Sequence, residues 1–301
     1  MYFPLADVVI HPLILAAIGF LVGIMGGFFG VGGSFIAGPA MFFVGVPMNF
    51  VVGTDLAHIV GKSVVAAKRH RALGHVDIKL GLLMVLATMV GVEMGAQVVE
   101  FLKAKEAAEM VIGVLYIVIL TTISLFTGWE ARRSIVMMRT EKIAAKDALG
   151  FKSITRRVRA IRIPPLVRLP NSGIESISLW AILLVGVVTG FFGGLLGGGA
   201  GYMRLPALIY FLGVPTHVAI GTDLFEVVIS AGYGTLTHAF KGNVDILIAL
   251  VMQTGAAIGA QIGAVSTRFV GGPKIRLAFS FLPFIGAALV LYRLLGGGVA
   301  G

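Results

Sequence analysis

The chain has 301 residues, 57% of them hydrophobic and 13% charged, with a formal net charge of +10 and no cysteine. Soluble domains carry roughly 25% charged residues, so this composition argues against a soluble enzyme or a nucleic-acid-binding domain. The lack of cysteine excludes disulfides and thiolate metal sites.

Met1–Val9 contains no Lys or Arg and carries Asp7, so no basic leader of a cleavable signal is expected. A Gly-rich span over about residues 10–33 follows, containing the apolar run Leu13–Val31. Next comes a short Pro-containing apolar piece, 34–46, and then three longer helices are predicted over 49–72, 77–99 and 107–127. The runs Leu80–Val99 and Ala107–Phe126 each approach the roughly 20 residues that cross a hydrocarbon core as helix.

Residues 128–176 form a polar linker. Between Trp129 and Ser176 it holds 11 Lys/Arg against 4 Asp/Glu, so +7 of the +10 lies there, the mark of a cytoplasmic loop. Its stretch Ala131–Ala148 has apolar spacing suited to an interfacial helix. No aromatic residues alternate with its basic ones, so contact with anionic lipid headgroups is expected in place of nucleic acid. Beyond the linker the elements recur over 177–200, 201–213, 216–239, 244–267 and 274–296, with apolar runs Ile177–Leu196, Ile246–Val265 and Ala278–Leu295. The expected architecture is an all-α polytopic membrane protein with a first repeat at 1–127, the linker at 128–176 and a second repeat at 177–301.

The halves match motif by motif. The Gly-rich stretch Gly19–Ala40 pairs with Gly186–Ala207, GVP at Gly45–Pro47 with Gly213–Pro215, and GTDL at Gly53–Leu56 with Gly221–Leu224. His70 and His238 follow, then Gly74–Ile78 with Gly242–Ile246, and Gly91–Gly95 with Gly259–Gly263. The short piece before GVP covers little more than half a bilayer at 1.5 Å per residue. It is expected to be a half-helix, which is tolerated at membrane depth only where it is buried in protein or lines a cavity. With the linker inside, an inverted arrangement leaves 18 Lys/Arg inside and a parallel one 17. Transporters with interrupted helices favour the inverted form, with the breaks meeting near the midplane.

Gly26–Gly33 holds five glycines in eight residues and Gly193–Gly201 six in nine. Close packing accounts for the upstream Gly19/Gly23 and Gly186/Gly190 pairs. Runs through Gly32, Gly33 and Ser34, and through Gly198 and Gly199, cost a helix about 1 kcal/mol per Gly. A break there frees N–H groups at a positive helix end, a site for an anion. Asp55 and Asp223, each after a capping-type Thr54 or Thr222, are followed at i+3 by His58 and Glu226, with Lys62 further along the first stripe. N-terminal capping explains the Thr-Asp pairs on their own. An ionisable stripe inside a membrane helix also points to proton coupling, with the threonines bonding substrate. Arg204, opposite Ala37, either holds a sulfonate or carboxylate substrate or snorkels to an interface. Glu93 and Gln97 are expected to bond neighbouring helices. His70 and His238 are expected as interfacial ties. Gly61-Lys62-Ser63 lacks the first glycine of a phosphate loop, and no metal site, cofactor or catalytic residue is expected.

This doubled order of Gly-rich stretch, Pro, GVP, GT-polar-Leu and GxxxG resembles the TauE/SafE family of sulfite and organosulfonate exporters. The resemblance implies a secondary transporter of small sulfur-containing anions, multi-pass in the inner membrane with the linker cytoplasmic. Its partners would be a small anionic substrate and the bilayer, without nucleic acid, and a homo-oligomer is compatible with it. A transporter or channel for another small anion is the alternative. An intramembrane diaspartyl protease on Asp55 and Asp223 is the reading from another class, although GTD departs from the Y-D and G-x-G-D flanks of that family.

Overall fold

The computed structural model describes residues 1–30, 34–140, 152–197 and 201–296. The first half contains a two-stranded hairpin (β1, Tyr2–Phe3; β2, Val8–Val9) and helices α1 (Pro12–Phe29), α2 (Ser34–Phe43), α3 (Met48–Ala72), α4 (Ile78–Ala104) and α5 (Ala108–Thr140). After α6 (Lys152–Ala160) the second half repeats the series. It has a hairpin (β3, Leu166–Leu169; β4, Ile174–Ser178), then α7 (Leu179–Leu196), the short α8 (Gly201–Pro206) running into a π-helical turn (Ala207–Leu212), α9 (Thr216–Phe240), α10 (Ile246–Ser266) and α11 (Gly272–Leu294). Seven of the described helices are long and apolar enough to cross a membrane. The protein is an all-α polytopic membrane protein.

The halves interlock by exchanging helices: α1 packs on α10, and α4 on α7. Small residues allow this. A Cβ added at Gly19 or Gly23 would lie 1.9 or 2.4 Å from the carbonyl oxygens of Met252 or Ala256, and one at Gly190 or Gly194 would lie 2.3 or 2.1 Å from those of Thr88 or Val92. In lipid, where no hydrophobic force drives helices together, such close backbone approach supplies the attraction. The equivalent helices α3 and α9 cross at the centre and run antiparallel. The second turn of each meets the loop after the other, through Thr54 with Asp245 and Thr222 with Asp77. Helix α5 lies antiparallel to α11, with Gly113 against Leu294 and Glu130 against Arg276.

Three features differ from expectation or were not anticipated. The fifth helix was expected to stop at 127, with a separate helix over Ala131–Ala148. One continuous helix instead runs through Thr140, and residues 141–151 lie outside the described ones. The reason is in the packing: Glu130 and Ser134, read as linker, are buried against Arg276 of α11. The helix therefore continues past the apolar run because its partner helix does. The two hairpins occupy equivalent places before α1 and α7 and are held alike. Ala6 N–H donates to Asp245 Oδ2 (3.2 Å), and Ser172 Oγ to Asp77 Oδ2 (2.6 Å). Finally, His70 and His238, expected as interfacial ties, have fully buried side chains in the last turns of α3 and α9.

Candidate functional site

Helix α3 carries Asp55, His58 and Lys62 on one face, all at most 1% exposed. His58 Nδ1 lies 3.7 Å from Asp55 Oδ1 and 3.2 Å from Lys62 Nζ. Neither Asp55 oxygen, nor His58 Nε2, has a hydrogen-bond partner among the described residues. Tyr202 of α8 and Tyr116 of α5 lie within the electrostatic reach of Asp55. Tyr202 Oη is also without a partner. Tyr116 Oη donates to the carbonyl of Leu196, the last residue of α7.

Helix α9 places Asp223 and Glu226 at matching positions, and the second half supplies a cation where the first has Ala37. Arg204, fully buried, donates from Nη1 to Asp223 Oδ1 (3.1 Å) and to Glu226 Oε2, and from Nε to Thr189 Oγ1 (3.4 Å). Ser230 Oγ adds a bond to Glu226 (3.1 Å). Asp223 Oδ2 and Glu226 Oε1 have no partner among the described residues. Two carboxylates therefore converge on one guanidinium. Helix α8 carries both Tyr202, within the electrostatic reach of Asp55, and Arg204, which bonds Asp223. On the α3–α9 crossing, Leu56, Ile59, Val227 and Ala231 form a separate buried apolar cluster.

The breaks cross over between halves. Gly30 ends α1 in the left-handed region (φ 76°) against Ile220, two residues before Thr222. Gly197 ends α7 at φ 77° against Val52, two residues before Thr54. At both positions a side chain would be strained by φ and would collide with the opposite half. The last carbonyls of a helix lack intrahelical donors, and here side chains provide them. His70 Nε2 donates to Gly27 O (3.0 Å) and His238 Nε2 to Gly194 O (2.9 Å). Tyr116 does the same at Leu196 and also packs on Gly38 of α2, so one side chain touches elements flanking both breaks.

Of the expected site residues, Asp55 and His58 meet in one cluster, and Arg204, Asp223 and Glu226 in the other. Thr54 and Thr222 face elsewhere: their Oγ1 atoms accept the backbone N–H of Asp245 and Asp77, both at 2.9 Å. Gly32, Gly33, Gly198 and Gly199 lie outside the described residues, as does the side chain of Ser34, where α2 begins. Glu93 bonds Gln97 within α4, Thr237 of α9 and Lys241 just after α9. Among the described residues no three metal-binding side chains converge.

Sequence reasoning did not select Tyr116, Tyr202 or the buried network of Glu130, Arg276 and Tyr210, in which Arg276 Nε and Tyr210 Oη both reach Glu130 Oε2 (3.0 and 2.8 Å). An isolated Tyr in an apolar run gives no periodic signal. Glu130 and Arg276 are 146 residues apart, and only the α5–α11 pairing joins them. His75, in the loop after α3, adds a ring contact to His217 at 5.2 Å. Burial, and then the proximity of His217, pull its pKa below the ordinary imidazole range.

Known proteins similar to this chain are probable membrane transporters. The family model described as "Sulfite exporter TauE/SafE" matches residues 15–290. The chain is 24% identical over 264 residues to the probable membrane transporter protein YunE of Bacillus subtilis, covering 85% of this chain and 88% of that protein. It is 22% identical over 282 residues to the probable membrane transporter protein MJ0441 of Methanocaldococcus jannaschii, covering 89% and 90%. A probable membrane transporter protein of Xylella fastidiosa is 36% identical over 111 residues, 35% of this chain and 41% of that protein. No solved structure matches. The chain is a multi-pass membrane transporter and belongs to the sulfite exporter TauE/SafE family.

Proposed function

We propose that this protein is a proton-coupled secondary exporter of a small sulfur-containing anion, sulfite or an organosulfonate. The halves would be arranged as inverted repeats in the inner membrane, with the basic linker cytoplasmic. The observation that carries the reading is the pair of buried ionisable clusters on α3 and α9, each beside a Gly-rich break. Ionisable side chains at membrane depth serve ion or proton pathways by default, and helix breaks present N–H groups to anions. Arg204 bridging Asp223 and Glu226 is an internal counter-ion that an incoming anion would compete for. Asp55, with no hydrogen-bond donor among the described residues, is the proton acceptor we assign to the first half.

The inverted arrangement is supported by the antiparallel α3–α9 and α5–α11 pairs, because equivalent helices that run in opposite directions put the pseudo-two-fold axis across them. Transport fits better than diaspartyl proteolysis, which needs two carboxyls sharing a proton. Here Asp55 is grouped with His58 and Lys62, and Asp223 with Arg204 and Glu226.

The test is counterflow in proteoliposomes with sulfite, sulfate, sulfoacetate, taurine and bicarbonate, with and without a pH gradient. Uptake of labelled sulfite or sulfoacetate, stimulated by the gradient, is expected. Equal leak of all five solutes would overturn the reading. Asp55→Asn is expected to abolish the response to the gradient; if both Asp55→Asn and Asp223→Asn retain it, neither aspartate carries the proton.

A further inference from the structure

The flank of the second half carries an apolar groove that the transport reading does not use. Its deeper part, about 420 Å³, lies between α5, α7 and the π-helical turn, with Ile123, Val188, Met203 and Phe211 among its walls. A second part, about 260 Å³, is walled by Val158, Ile161, Ile163 and Trp180. The two share Leu184, Val185 and Phe211, so they form one groove running from the linker side toward Thr189, the residue that accepts from Arg204.

The mouth of this groove is basic and anchored. Helix α6 is fixed to the end of the half-helix: Thr155 Oγ1 donates to Tyr210 O (2.7 Å), and Arg159 donates to Leu212 O and Gly213 O (both 3.1 Å). A π-helical turn ends with carbonyls that need such donors. Arg156, Arg157 and Arg162 remain exposed around the groove-lining Val158 and Ile161. Over residues 152–180 the sequence holds Lys152, Arg156, Arg157, Arg159, Arg162 and Arg168 against Glu175 alone. Trp180 is 57% exposed and donates its indole N–H to Pro164 O (3.1 Å), the posture of an aromatic residue at a membrane interface.

An apolar slot opening onto exposed guanidinium groups on an anchored helix matches one ligand chemistry: an acyl chain carrying an anionic phosphate head. We propose that this groove is a binding site for an anionic phospholipid, with its headgroup on Arg157 and Arg162 of the linker and its chain along Leu184, Val185 and Phe211. Two basic side chains near a surface favour an anionic headgroup by about 1 kcal/mol each, or roughly 30-fold together.

Native mass spectrometry of the full chain in detergent, titrated with phosphatidylglycerol and phosphatidylcholine, tests this. Phosphatidylglycerol is expected to bind roughly 30-fold more tightly, and Arg157→Gln/Arg162→Gln to reduce that preference to near unity. Val185→Trp is expected to weaken both lipids by filling the groove. Equal binding of the two lipids to the unaltered protein, or an undiminished preference in the double variant, overturns the proposal. Displacement of phosphatidylglycerol by glycerol phosphate alone would assign the arginines to a free anion and overturns it as well. A further measurement needs no variant: phosphatidylglycerol with a photoreactive tail should label α7 and the π-helical turn, and labelling confined to other helices counts against the site.

Discussion

Arg204 illustrates how a buried charge is tolerated at membrane depth. Its guanidinium is fully enclosed, and its cost is offset by two carboxylates and the hydroxyl of Thr189. Removing one partner of such a group leaves uncompensated charge, which typically costs about 3–5 kcal/mol. Arg204→Gln is therefore expected to lower the melting temperature of the detergent-solubilised protein sharply, since Asp223 and Glu226 would face each other without a cation. Combining it with Glu226→Gln should recover part of the loss; no recovery would mean the cluster is not coupled in this way. The threonines carry a different lesson. Thr54 and Thr222 were legible as caps or substrate ligands from their place before an aspartate. Their actual bonds, to the backbone of Asp245 and Asp77, join the two halves, and no local pattern encodes a partner 191 or 145 residues away.

At the scale of elements, the glycines divide into those that must be small and those that need not be. Gly190 in α7 meets Thr88 O at 2.3 Å from an added Cβ, whereas Gly232 in α9 meets nothing within 4 Å. Gly190→Ala is expected to push α7 off α4 and to reduce the yield of folded protein. Gly232→Ala should be tolerated and stabilise α9 by up to about 1 kcal/mol. Thermal melts of both variants check this, and equal effects would show that backbone contact does not hold the crossing. The GxxxG spacings announced close packing from sequence. Which helix each glycine row meets was not legible, because Gly, Ala and Leu occur on every helix and do not specify a partner.

For the whole molecule, the direction of the halves is the property with the largest consequences. Ala72 and Phe240 are equivalent, exposed positions at the ends of α3 and α9, and the natural chain is free of cysteine. In inverted repeats, Ala72→Cys and Phe240→Cys are expected to react with an impermeant thiol reagent from opposite faces of oriented vesicles. Reaction from the same face would establish parallel halves. The antiparallel contacts of α3 with α9 support the first outcome, whereas the Lys/Arg balance of 18 against 17 decides nothing.

The sequence by itself determined the membrane environment, the repeat, the half-helices and the ionisable stripes of α3 and α9. These follow from hydropathy, glycine, proline and helical spacing, all of which act over one or two turns. Only the tertiary structure decided that Arg204 bridges two carboxylates and Tyr116 touches elements flanking both breaks. It also decided that Glu130 belongs to a buried pair, and that Gly30 and Gly197 each seat against the opposite half. Each of these is a contact across the pseudo-symmetry or between distant helices. Its energy depends on enclosure by a second element, and the identity of that element is set by the packing of the whole bundle.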